Sequence, residues 1–160
     1  ASDVYKRQIL KHTKKIFGIV ILSLIMVISA TLANAELSVE DIIKSRKVLF
    51  SKNSSTAKRV QSFSSNGDFD KAIELMKEMN ENYITLLDLF PENSKEGFKT
   101  EALPIIWEEK DAFNALMQKS ADDMIKLTSI IEDVDDIRGT LGKLIWANCK
   151  ACHSKYRATR

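Results

Sequence analysis

A chain of 160 residues, 44% hydrophobic and 29% charged, has ordinary globular composition and is too short for more than one full-sized domain, which excludes a disordered chain and a multidomain enzyme. Five Gly and two Pro are too few for the turns of a many-stranded sandwich or barrel, so an all-α fold is expected. The formal net charge of +2 depends on where the cations sit, and they are concentrated at the start.

Lys6, Arg7, Lys11, Lys14 and Lys15 precede an apolar run over residues 16–30, and Ala33-Asn34-Ala35 follows as the small-x-small pattern of a signal-peptidase site. Residues 1–35 read as an N-terminal extension and secretory signal peptide. An uncleaved anchor is the alternative, since spanning a bilayer takes about 20 apolar residues, but the run ends in small residues without stop-transfer charges. Cleavage after Ala35 leaves a single domain, residues 36–160, with 19 of the 24 basic and 21 of the 22 acidic residues and hence a charge of −2. The basic balance therefore belongs to the leader. No nucleic-acid partner and no stable membrane association after cleavage are expected, and the mature protein is expected in the periplasm. His12 leaves with the signal, so His153 is the one histidine of the mature chain.

Ser38 is a good N-cap, with Glu40 and Asp41 behind it, and apolar residues from Ile42 to Phe63 predict helix one over residues 39–63. Ser64-Ser65-Asn66-Gly67 breaks it. A second stripe, including Ala72, Met76, Met79, Tyr83, Leu86 and Phe90, runs to Pro91 and predicts helix two over 68–90. Residues 91–103 lack a sustained period and form the longest connection. Pro104 suits a first helical turn, opening helix three over 104–132. Asp133, Asp135 and Asp136 mark a break and supply caps for a fourth helix. Its inward stripe comprises Ile137, Leu141, Leu144, Ile145, Asn148, Cys149, Cys152, His153 and Tyr156. Four helices with mostly short connections predict an up-down-up-down antiparallel four-helix bundle.

Cys149-Lys150-Ala151-Cys152-His153 is the C-x-x-C-H pattern of covalent haem attachment. Two thiols one helical turn apart can each form a thioether to a haem vinyl group, and the next residue is then placed to direct an imidazole nitrogen at iron. Three other readings are weaker. A redox dithiol wants a βαβ context, which this sequence lacks. Structural zinc usually takes four Cys or His ligands, and the mature chain has three. A plain disulfide stays open in an oxidising compartment.

The mature sequence resembles the class II c-type cytochromes, the cytochrome c′ family, in three stretches: Ile42-Ile43-Lys44-Ser45-Arg46-Lys47, Ala102-Leu103-Pro104-Ile105-Ile106-Trp107, and Cys149 through Arg157. The last is the most specific, because the family carries its haem motif near the C-terminus of a four-helix bundle, with a trailing Tyr and Arg that match Tyr156 and Arg157. The resemblance implies one covalent haem c on Cys149 and Cys152, with His153 as axial iron ligand. It also implies a haem environment that includes Arg46, Phe50, Tyr156 and Arg157. Low-spin members use a Met on the first helix as sixth ligand, and helix one here has none. The cytochrome c′ pattern instead places a bulky apolar residue four positions after an Arg, as Phe50 follows Arg46.

The expectation is a five-coordinate, high-spin haem that binds NO or CO and sequesters or carries NO. A low-spin electron-transfer cytochrome with a sixth protein ligand is the alternative, and a haem-free helical interaction module is weaker. Met76, Met79, Met117 and Met124 fall at helical spacing and read as core. No general base or substrate pocket is legible, so catalytic turnover is not expected. Redox partner proteins fit the second reading, and a homodimer follows from the resemblance and from the apolar content of helices one and two.

Overall fold

A computed structural model describes residues 37–159; the predicted signal segment and Arg160 lie outside the described residues. Helix α1 (Val39–Ser65) starts where Ser38 Oγ accepts the Asp41 backbone N–H at 3.1 Å. Helix α2 (Phe69–Leu87) follows after Gly67, whose φ of 76° allows the tight reversal. A single 3₁₀ turn (Glu92–Ser94) lies in the long connection. Then come α3 (Ile105–Glu108), α4 (Lys110–Ile130), α5 (Ile137–Leu141), a π-helical stretch (Gly142–Trp146) and α6 (Ala147–Tyr156). α1 packs on α2, α2 on α4, α4 on the π stretch and α6, and α1 on α5, which closes a four-helix bundle.

The core is the apolar stripe predicted from spacing. Met76, Met79, Leu86, Phe113, Met117, Met124, Leu127, Leu141 and Ile145 are all essentially inaccessible, so the four methionines pack as core residues. Three boundaries differ from prediction. Helix two stops at Leu87, because Phe90 precedes Pro91 and is pushed out of the helical region. The carbonyls freed there are taken by side chains: Trp107 Nε1 donates to Phe90 and Pro91 at 3.1 and 3.0 Å, and Lys110 Nζ donates to Phe90 at 3.0 Å. Helix three is interrupted at Glu109 (φ −116°, ψ 43°), where its carboxylate accepts from Lys155 and Tyr156 of the last helix. Helix four contains the π stretch, in which the Ala147 N–H reaches back to Gly142 directly ahead of the cysteines.

The connection at 88–103 is not a loose loop, and Arg46 is the reason. Arg46 is 3% exposed, and its guanidinium carbon lies 4.8 Å from the Phe90 ring centroid. It donates to the Leu89 carbonyl (3.4 Å), to Ser94 Oγ (3.1 Å) and carbonyl (3.0 Å), and to Thr100 Oγ1 (2.6 Å). Burial pushes the Arg46 pKa down to about 10, which still leaves it charged at neutral pH. The connection in turn holds the chain end: Leu103 N–H donates to the Tyr156 carbonyl at 3.0 Å and Ala158 N–H to Glu101 at 2.9 Å. Arg46→Leu should therefore loosen both. With net values of about 1.5–3 kcal/mol for hydrogen bonds to charged groups, we expect a loss of about 3 kcal/mol and a melting point lower by about 10 °C. A melt within about 2 °C of wild type would show that the connection holds itself.

Candidate haem site

Two adjoining cavities open between α1, the 88–103 connection and α6. The larger, about 740 Å³, is lined by Arg46 and Phe50 of α1, Phe113 of α4, and Cys152, His153 and Tyr156 of α6. The smaller, about 250 Å³, is lined by Tyr83, Met117, Trp146, Asn148 and Cys149, and it shares Phe50, Cys152, His153 and Arg157 with the larger. The larger volume falls within the range of about 300–1,000 Å³ typical of cofactor sites.

α6 brings the sequence motif to these cavities. Cys149 and Cys152 are free, partly buried thiols one turn apart. Burial pushes Cys152 up to about 11 and raises Cys149 as well, against a hydrogen bond from Tyr83 that favours the Cys149 thiolate. Both sulfurs are thus neutral thiols at neutral pH, the opposite of the lowered pKa that a redox dithiol requires. Tyr83 is itself buried, and burial followed by the adjacent Cys149 holds its phenol well above the ordinary range. Among the described residues no group of three His, Cys, Asp or Glu side chains is arranged to hold a bare metal ion.

His153, partly buried, lies edge-on to Phe50 with ring centroids 6.3 Å apart, and Phe50 in turn packs edge-on to Phe90 at 6.4 Å. Tyr156 is 2% exposed, stacks edge-on against Phe113 at 5.2 Å and donates to Glu109 Oε2 at 3.1 Å. Arg157 lines both cavities, but not from the helix face that its spacing from His153 predicts. α6 ends at Tyr156, and Arg157 is extended (φ −121°, ψ 138°), paired with Ala102 in an antiparallel bridge. Arg46 also lines the larger cavity, yet four of its donor contacts go to the connection, so it acts first as a staple.

The start of α6 is fixed by Asn148, which spacing puts on the inward stripe, together with Asp123 and Lys119 of α4, which spacing does not single out. Asn148 Nδ2 donates to Asp123 Oδ2 at 2.7 Å and to the Leu144 carbonyl at 2.9 Å, and Asn148 Oδ1 accepts from Lys119 at 3.3 Å. Burial opposes the Asp123 charge, but hydrogen bonds from Lys119 and Asn148 outweigh it and hold the carboxyl below its usual range. Tyr83 and Trp146 also line the smaller cavity; core spacing reads Tyr83 as stripe and Trp146 as bundle packing rather than a haem neighbour, and no local signal separates the two readings.

The residues fit a tethered haem. Two neutral thiols and an imidazole open from one helix into one cavity system, whose lining also includes the cations Arg46, Lys47 and Arg157. These features together define a c-type haem protein built on a four-helix bundle. A family profile described as Cytochrome C′ matches residues 41–157. A cytochrome c′ of Rhodopseudomonas palustris is 30% identical over 123 residues, covering 75% of this chain and 84% of that one. The solved structure of cytochrome c′ from Rhodopseudomonas palustris superposes with a TM-score of 0.67 at 29% identity, covering 75% of this chain and 98% of that one. A nitric oxide complex of a cytochrome c prime mutant from Alcaligenes xylosoxidans shares the fold at a TM-score of 0.66 and 23% identity, covering 78% and 98%. The chain belongs to the cytochrome c′ family, whose cofactor is covalently bound haem c.

Proposed function

We propose that Cys149 and Cys152 carry the haem as thioethers and that His153 is its axial ligand. Phe50 covers the opposite side, so that the protein binds small gases, NO and CO, at a five-coordinate, high-spin centre. When bound, the haem supplies one iron that exchanges a single electron and accepts a diatomic ligand. The observation that carries the reading is the pairing of Phe50 with His153: two rings 6.3 Å apart on the walls of one cavity, one able to coordinate and the other not. Tyr156, locked against Phe113 and Glu109, holds the end of α6, while Arg46 and Arg157 border the same space. Phe50 limits what enters: a ligand must push the ring aside, which a diatomic molecule does at less cost than a bulkier one.

NO sequestration or carriage in the periplasm, after removal of residues 1–35, is the role that fits such a centre. The nitric oxide complex of a cytochrome c prime with the same fold supports the choice of gas. Electronic spectra with and without NO test the reading. High-spin ferric and ferrous spectra that change on adding NO are expected. A methionine-to-iron charge-transfer band would overturn the reading in favour of an electron-transfer cytochrome, for which Met117 on the wall of the smaller cavity is the candidate ligand. The exposed apolar side chains Val48 of α1 and Ile84 of α2 support a homodimer through these helices. Light scattering should give twice the chain mass, and a monomer at high concentration would refute it.

A further inference from the structure

Asn53 occupies an inward position of α1, between Phe50 and Ala57, where the residues before and after it on the stripe are apolar. It is 3% exposed, and its Oδ1 accepts from Asn82 Nδ2 of α2 at 2.8 Å. Asn82 is buried as well, so the amide pair is clamped between two helices, and fixing one end of the Asn53 amide aims the other. That other end, Nδ2, lies toward the Tyr83 hydroxyl and completes no hydrogen bond. A buried donor left unmet is costly, and native structures keep few of them without a ligand, a water or a function.

Position separates this donor from the other unmet groups. Among the described residues, Asn53 Nδ2, Ser64 Oγ and Asn114 Oδ1 are the buried side-chain polar atoms without a partner, and of these residues Asn53 alone lines either cavity. The cavity is the smaller one, about 250 Å³, which Asn53 shares with Phe50, Cys149, Cys152 and His153. Its other buried polar groups are engaged: Ser120 Oγ donates to the Leu116 carbonyl at 2.8 Å, Asn148 is held by Asp123, Lys119 and Leu144, and Tyr83 donates to the Cys149 sulfur. Ser54 and Arg157 reach the cavity from exposed positions, where water satisfies them. Asn53 follows Phe50 by one turn on the same side of α1, so its unmet N–H stands on the side of the cavity that the ring covers. A neutral amide donor in a pocket walled by Phe50, Met117 and Trp146 suits a small uncharged ligand whose outer atom accepts a hydrogen bond.

We propose that Asn53 Nδ2 donates a hydrogen bond to the outer atom of a diatomic ligand bound on the Phe50 side, with Asn82 as the residue that positions it. The inference rests on the five-coordinate haem proposed above. Coordination to ferrous iron moves electron density onto the outer atom, more for NO than for CO, so such a donor favours NO. Phe50 opposes entry, and Asn53 holds what has entered. No proton changes hands, because the amide keeps both of its hydrogens.

The ferrous CO adduct of the haem-loaded protein reports such a donor directly, because a hydrogen bond to the CO oxygen draws electron density into the ligand and lowers its C–O stretching frequency. Asn53→Leu should raise that frequency above the wild-type value. NO should dissociate about twofold to tenfold faster, the factor that one net hydrogen bond represents, with a smaller change for CO. Asn53→Leu leaves Asn82 without its acceptor, so Asn53→Leu combined with Asn82→Leu, which removes both polar partners together, is the second variant and should show the same rise. Asn82→Leu alone should broaden the C–O band, as a donor that is present but no longer aimed would; an unchanged band there would overturn the positioning role of Asn82. The same C–O frequency in wild type, Asn53→Leu and the double variant would overturn the proposal and assign Nδ2 to an internal water. A rise in Tyr83→Phe with none in Asn53→Leu would also overturn it, by moving the donor to the phenol. Failure of the haem reading would show separately in the wild type, as absent haem bands or as a six-coordinate ferrous spectrum that CO does not change.

Discussion

Protein in which both Cys149 and Cys152 are alanine is expected to give up all its haem to acid-acetone, while wild type keeps its haem on the polypeptide. The expectation follows from placement: the two sulfurs stand one turn apart on α6, and both open into the cavity system that His153 lines. Each single substitution leaves one thioether and should retain haem on a denaturing gel, with a shifted ferrous absorption band. The double variant should still fold, because Cys149 and Cys152 are only partly buried at the margin of a core built by Met76, Met79, Leu86, Phe113, Met124 and Leu127 of α2 and α4. Its helical circular dichroism is the control that separates a lost linkage from a lost fold. Haem that extracts freely from wild type would sink the assignment of the thioethers.

The stripe of helix four, from Ile137 to Tyr156, was legible because period and chemistry coincide there: the residues that continue the apolar face are also the thiols and the imidazole. The break at Glu109 was not legible. Neither Pro nor Gly marks it, and the contacts that accompany it, from Lys155 and Tyr156, come from 46 and 47 residues away. Local pattern carries no trace of such a pairing. The same holds for Arg46. Spacing placed it correctly one turn before Phe50, but a cation on a helix face looks the same in sequence whether it meets a haem carboxylate or Ser94, Thr100 and the Leu89 carbonyl. Arg157 shows the reverse case: it lines both cavities, but not from the helix that its spacing implies. The bridge to Ala102 ends the helix and still leaves the residue lining both cavities. The π stretch ahead of Ala147 has no sequence marker, since its hydrogen-bond register depends on how Leu141 and Ile145 seat in the bundle.

Phe50→Ala should produce the larger change in ligand binding. The ring borders both cavities and is flanked by Phe90 at 6.4 Å and His153 at 6.3 Å, so any molecule approaching on its side must displace it. Displacement means repacking an aromatic side chain against Phe90, and penalties for forcing packed side chains aside run at about 1–3 kcal/mol, or roughly fivefold to a hundredfold in an equilibrium constant. Removing the ring should therefore tighten CO and NO binding by a factor in that range and speed association. The space left should also let water reach the iron in the ferric protein and shift its spectrum. The substitution costs little in fold stability compared with a fully buried phenylalanine, because Phe50 is only partly buried, and a small change in melting point would confirm that the kinetic effect is local. Unchanged CO kinetics together with an unchanged ferric spectrum would show that Phe50 is a packing residue and that another side chain covers the iron.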